Sequence, residues 1–274
     1  MRQACQRGSV SACSLLEETQ RHESLEPICK AGQVQACLEL AEVYLREPCS
    51  TGDRARALEL LEGACNQKKA SACTRLGELF GEGRSVGLDL ERAITLFERA
   101  AALGETGAGI RWARTLRANR VGCDKGQGKD CVALAETCGE IYRRGEEPPE
   151  SLLLLIFDAR RKGCDSGLSS ECIHAASMRF NGLGAAPDRS AALSSVRAHC
   201  LAAPAQCVQF AQQLTEDPSS GPEAGPLFEK ACEAGNVEAC AWLGRAYSEG
   251  LWGMKQDAAA AAKVLRRAET LGGR

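Results

Sequence analysis

Residues 231–247 read Ala231-Cys232-Glu233-Ala234-Gly235-Asn236-Val237-Glu238-Ala239-Cys240-Ala241-Trp242-Leu243-Gly244-Arg245-Ala246-Tyr247. Two cysteines stand eight positions apart, and a glycine follows the first by three. The same spacing recurs at Cys5/Cys13, Cys29/Cys37, Cys65/Cys73, Cys123/Cys131 and Cys164/Cys172, while Cys200/Cys207 is one residue shorter. The pair 29/37 returns as 65/73 after 36 residues, and another 36 lands on Ala101 and Gly109, a unit without its cysteines. A fixed period of this length is the mark of a helical solenoid.

The columns outward from the second cysteine assign the elements. Four residues on stand Ala41, Gly77, Ala113, Ala135, Ala176, Ala211 and Gly244, all small. One earlier stand Leu40, Leu76, Trp112, Leu134, Ala175, Phe210 and Leu243, and seven on Tyr44, Phe80, Leu116, Cys138, Arg179, Leu214 and Tyr247. Offsets of three, four and seven share one face of a helix, here helix A, and the small column marks a close crossing. A second helix, helix B, precedes each first cysteine, with apolar residues at helical spacing such as Ile94, Phe97 and Ala100. Asp53, Asp89, Asp188 and Asp257 stand where an N-cap would open it. Gly8, Gly32, Gly104, Gly126, Gly167 and Gly235 suit the left-handed residue that ends helix B.

Each first cysteine thus falls in the last turn of B and each second in the first turn of the next A. So short a turn makes a disulfide geometrically reasonable; reduced thiols are the alternative. Metal binding ranks last, because the spacing is not the close pair of zinc sites and only three histidines, His22, His174 and His199, are present. No metal or cofactor is expected. Cys138 reads as a buried small hydrophobe. Cys49, in a loop after Glu47-Pro48, reads as free, modified or paired between molecules.

Composition narrows the function. The chain has 274 residues, and 34 Lys+Arg against 36 Asp+Glu exclude a basic nucleic-acid footprint. With 4% aromatics against 44% hydrophobic residues, the core is lean and rich in Ala and Leu. No apolar run reaches the roughly 18–20 residues of a membrane span, and Met1 to Cys5 shows no signal-peptide core. No phosphate loop, nucleophile elbow or paired-carboxylate motif appears; the Gly/Lys run 122–129 lies in a B–A turn. No catalytic residue is assigned.

The 231–247 stretch resembles the Sel1-like repeats, above all their cysteine-rich branch, the Helicobacter cysteine-rich protein family. The likeness covers essentially the whole chain. It implies an all-α, TPR-like fold: a right-handed superhelical solenoid of αα-hairpins, about seven repeats, as a single solenoid over residues 1–274. It also implies a disulfide in each hairpin and a periplasmic or secreted location, with the cytoplasm as the alternative. Cysteine-rich members bind penicillins with weak β-lactamase activity, so the resemblance carries an enzymatic alternative, but no Ser-x-x-Lys motif is present to receive it.

Two units depart from the pattern. From Cys13 to Cys29 there are only 16 residues, and from Gly109 to Cys123 only 14, against 28 from Cys37 to Cys65. Those units lack room for both helices, and around 106–122 a single helix or a drastically shortened B is expected. The repeat phase at both ends leads to the expectation of a segment excised from a longer protein.

The expected function is a non-catalytic scaffold or adaptor that holds a protein or peptide on the exposed face of helix A. That face carries Glu39, Glu42, Arg75, Glu78, Arg111, Arg114, His174, Ser177, Trp242 and Arg245, two and five residues past each second cysteine. A solvated face is the plain reading for single charges. Arg111 and Arg114 share a side and suit a carboxylate. Trp242, a large aromatic among charges, is the expected anchor; terminal exposure, or packing against a missing next repeat, is its rival explanation, and Trp252 in the loop after helix A is expected beside it.

Overall fold

The structure, a computed structural model, describes residues 10–45, 51–83, 86–144, 148–217 and 219–272. These hold fourteen α-helices and one short 3-10 turn, with no strand among the described residues. The chain divides into two compact units, Met1–Ala118 and Asn119–Arg274. The first holds α1 (Val10–Lys30), α2 (Val34–Tyr44), α3 (Thr51–Asn66), α4 (Ala70–Glu82), α5 (Leu90–Ala102) and the start of α6 (Ala108–Asp124). The second holds the end of α6, then α7 (Gly128–Arg144), α8 (Glu150–Asp165), α9 (Ser169–Asn181), α10 (Arg189–His199), α11 (Pro204–Thr215), α12 (Ala224–Glu233), α13 (Val237–Glu249) and α14 (Ala258–Gly272). From α1 to α5, each helix packs on its successor; in the second unit α9 also meets α11, one A helix against the next.

The turns explain the hairpins. Gly32, Gly104, Gly126, Gly167 and Gly235 all have positive φ, between 78° and 97°. In each, the glycine and the residue after it donate back into the end of helix B, as Gly235 to Cys232 O (2.9 Å) and Asn236 to Ala231 O (3.0 Å). Lys68 fills this position after Cys65 at φ 64°, a conformation that costs a side-chain-bearing residue about 1 kcal/mol. The 200/207 unit drops the glycine and one residue, and Pro204 opens α11 instead.

The A-to-B connections repeat one device. Asp89, Asp188 and Asp257 cap α5, α10 and α14, each accepting backbone N–H bonds at 2.9 Å. Their own amides donate to Phe80, Arg179 and Tyr247, the last column of helix A, at 2.9, 3.2 and 2.8 Å. Gly83, Gly182 and Gly250 end those A helices in the left-handed region. Asp53 corrects the pattern. It lies inside the first turn of α3, which opens at Thr51. The sequence there has Glu47 where the others have the glycine, so the left-handed stop lacks the residue that adopts it without strain.

The short units are single helices. α6 runs 17 residues from the A position through to Cys123, and α1 runs 21 residues with Pro27 inside it. The small column is buried as expected, and two of its glycines lie close against a neighbouring side chain. A β-carbon on Gly77 would sit 3.1 Å from the Phe97 ring, and one on Gly244 only 2.6 Å from Leu265.

Among the described residues, six disulfides join Cys29–Cys37, Cys65–Cys73, Cys123–Cys131, Cys164–Cys172, Cys200–Cys207 and Cys232–Cys240. Their Cα–Cα distances, 4.5–5.1 Å, fall within normal disulfide geometry. The first predicted pair, Cys5 and Cys13, and the odd Cys49 lie outside the described residues and side chains. Cys138 is free and fully buried.

Candidate binding surface

The exposed positions of helix A lie on α2, α4 and α6 in the first unit and on α9, α11 and α13 in the second. Their side chains link neighbouring A helices. Arg75 on α4 grips Glu42 on α2 with two bonds, 2.6 and 3.1 Å, and donates to Glu78 at 3.2 Å. In the second unit Ser177 donates to Gln213 (3.0 Å), Gln213 to Asn181 (2.9 Å), and Gln212 to Glu238 (2.7 Å). The face is therefore a polar lattice as well as a solvated surface.

Each candidate residue has a definite place in it. Arg75 is occupied by its two carboxylates. Arg245 is exposed and pairs with Glu249 at 3.1 Å along the same helix. Arg111 and Arg114 are exposed, three residues apart on α6, and among the described residues neither has an ion-pair partner. Trp242 is half-buried rather than standing wet. It stacks on Phe228, with ring centroids 5.8 Å apart and planes within 10°, and meets Trp252 at 5.6 Å. The indole packs, partly buried, against an apolar cluster with Trp252 beside it.

His174 is half-buried, with Nδ1 3.4 Å from Glu171 Oε1. Glu171 is 2% exposed and accepts from Arg160 at 2.6 Å. Burial pushes the Glu171 carboxyl up, but the neighbouring His174 and Arg160 outweigh it and hold it below the ordinary carboxylate range. Sequence reasoning missed this buried pair, although the chain carries a signal for it. The residue before each second cysteine is Ala12, Ala36, Ala72 or Ala239 in four units and Gln206 in one, but acidic, Asp130 and Glu171, in two. Opposite those two, and only there, the residue before the first cysteine is glycine. A β-carbon on Gly122 would overlap Asp130, and one on Gly163 would fall 2.9 Å from Glu171 Cγ.

Cys164, Cys172 and His199 form a group of metal-type ligand atoms within 4.8 Å of one another. Their two sulfurs are bonded together and so offer no thiolate to an ion. No helix among the described residues is long and apolar enough to cross a membrane.

The Sel1 repeat model matches residues 34–69, 70–105, 227–236 and 237–272. The unmatched middle is where units lose a helix or carry altered connections. No curated protein matches the chain. Among solved structures, the chain is similar to a Sel1 repeat protein from Oxalobacter formigenes (20% identity, 92% of this chain and 76% of that one, TM-score 0.39). It is similar also to a protective antigen of uropathogenic Escherichia coli displaying an SLR fold (17%, 92% and 64%, 0.33). An immunity protein from Pseudomonas aeruginosa matches at 14%, 87% and 80%, with a TM-score of 0.32. None of these scores is high enough to carry an argument. Over the matched residues the chain carries Sel1 repeats, and its hairpin disulfides fit the cysteine-rich branch of that family.

Proposed function

We propose that the chain is a non-catalytic scaffold that holds an acidic protein or peptide segment on the exposed face of its A helices, in the periplasm or outside the cell. The observation that carries this reading is the pair Arg111 and Arg114. Their counterparts Arg75 and Arg245 are neutralised within the fold, whereas these two guanidiniums face solvent without a carboxylate. Planar guanidiniums one turn apart suit a carboxylate-bearing chain. The hairpin disulfides support the oxidising compartment.

Fluorescence polarisation with labelled peptides rich in Asp and Glu tests it on the oxidised full chain. Arg111→Ala and Arg114→Ala should each weaken binding about tenfold, the loss of a charge-assisted bond. Trp242→Ala should weaken it as well. Equal affinity in all three variants would discard this surface. Nitrocefin turnover abolished by a single cleft substitution would turn the reading to the enzymatic alternative.

A further inference from the structure

Two of the six disulfides differ from the rest. In Cys65–Cys73, Cys123–Cys131, Cys200–Cys207 and Cys232–Cys240 both cysteines are buried. In the other two, one partner, Cys37 or Cys164, is only half-buried. These same two line surface notches, of about 260 Å³ and 110 Å³. Both notches occupy the same place in the repeat, walled by a B helix, the following A helix and the next B helix. Around Cys29–Cys37 the walls carry Glu26, Lys30, Arg56 and Glu59, two carboxylates against two cations.

Cys164–Cys172 has different company. A ring nitrogen of His199 lies within 4.8 Å of both sulfurs. His199 Nδ1 is 2.8 Å from Ser195 O, which can only accept, so Nδ1 carries a hydrogen and Nε2 is open to a proton. Arg161 and Arg179 line the notch. Arg161 is neutralised by Asp158 and Asp165, at 2.7 and 2.8 Å. Arg179 lies over the Phe157 ring, 5.6 Å from its centroid, and among the described residues it pairs with no carboxylate.

We propose that Cys164–Cys172 is a thiol-exchange site, at which an external low-molecular-weight thiol reversibly unstaples the hairpin of α8 and α9. The attacking thiolate enters the notch and bonds to Cys164 Sγ. The Cys164–Cys172 bond breaks, and its electron pair leaves on Cys172 Sγ, within 4.8 Å of a His199 ring nitrogen, where an imidazole that takes up a proton favours a thiolate and Arg179 lines the same notch. A second thiolate attacks the external sulfur of the mixed disulfide. Cys164 then departs as a thiolate, two molecules of thiol become one disulfide, and the protein is reduced by two electrons. The four fully buried disulfides give an attacking sulfur no such approach.

Reduced glutathione added to the oxidised full chain at pH 7.5 tests this, with iodoacetamide quenching and peptide mapping by mass spectrometry. The glutathione adduct should appear first on Cys164, with Cys172 alkylated, at a rate about tenfold above that of the four buried disulfides. His199→Gln should slow this adduct about threefold, the effect of one pKa unit on the leaving thiol, and leave the Cys29–Cys37 rate unchanged. Ala191→Leu, which narrows the notch without touching the imidazole, should slow it as well. The site assignment is overturned if Cys29–Cys37 or a buried disulfide reacts first, if the adduct lands on Cys172, or if Ala191→Leu changes nothing. An unchanged rate in folded His199→Gln overturns the role of the imidazole.

Discussion

Gly109 stands where a cysteine stands in neighbouring repeats, and a β-carbon placed on it would fall 2.3 Å from the Phe97 ring. Phe97 lies against both Gly77 and Gly109. Gly109→Ala should therefore cost about 2 kcal/mol in urea unfolding, as an overpacked core contact does. Gly63 on α3 is the opposite case: nothing lies within 4 Å of its would-be β-carbon, and it has ordinary helical φ. Gly63→Ala should stabilise by roughly 0.5–1 kcal/mol, the helix-propensity difference. Glu171 gives a pH signature. Its carboxyl is lower in the folded protein than its ordinary value of 4.5, so its stabilisation is complete above that value and is lost as pH falls through the folded one. Glu171→Gln should cost roughly 2 kcal/mol at pH 7. It should also flatten the loss of stability as pH falls below about 4.5, measured by denaturation across the acid range.

At the scale of the element, the hairpin is set by its ends. The left-handed glycine, the capping aspartate and the two cysteines each occupy one position, and each was legible because it is a local rule repeated along the chain. Cys65→Ser with Cys73→Ser should cost about 2–3 kcal/mol, the loop-closure contribution of a nine-residue loop. A melting temperature unchanged from the oxidised parent would contradict that. The helix count of the short units was legible from arithmetic, since 14 residues from Gly109 to Cys123 cannot hold two helices and a loop. The start of α3 was not, because Asp53 matches the capping column while the glycine that completes the device is missing at Glu47. A cap is a pair of features, and one alone does not place a helix end.

For the whole molecule, the redox state of sixteen cysteines is the organising quantity. Six pairs are joined, and the seventh pair predicted by spacing is Cys5/Cys13. A thiol count in denaturant should return two, Cys49 and Cys138; a count near sixteen would place the protein in a reducing compartment. Burial pushes the Cys138 thiol up to about 12, so iodoacetamide at pH 8 should leave it unmodified until the chain unfolds. By itself the sequence determined the repeat, the helical hairpin, the pairing of cysteines and the lean small-residue crossing, because each depends on neighbours within one period. Tertiary structure alone decided which charges remain unpaired, that Trp242 leans on Phe228 and Trp252, that Glu171 is buried against Arg160, and which disulfides meet a notch. Those outcomes depend on side chains from different helices competing for the same space and the same counter-charge, and no spacing along a single helix records who wins.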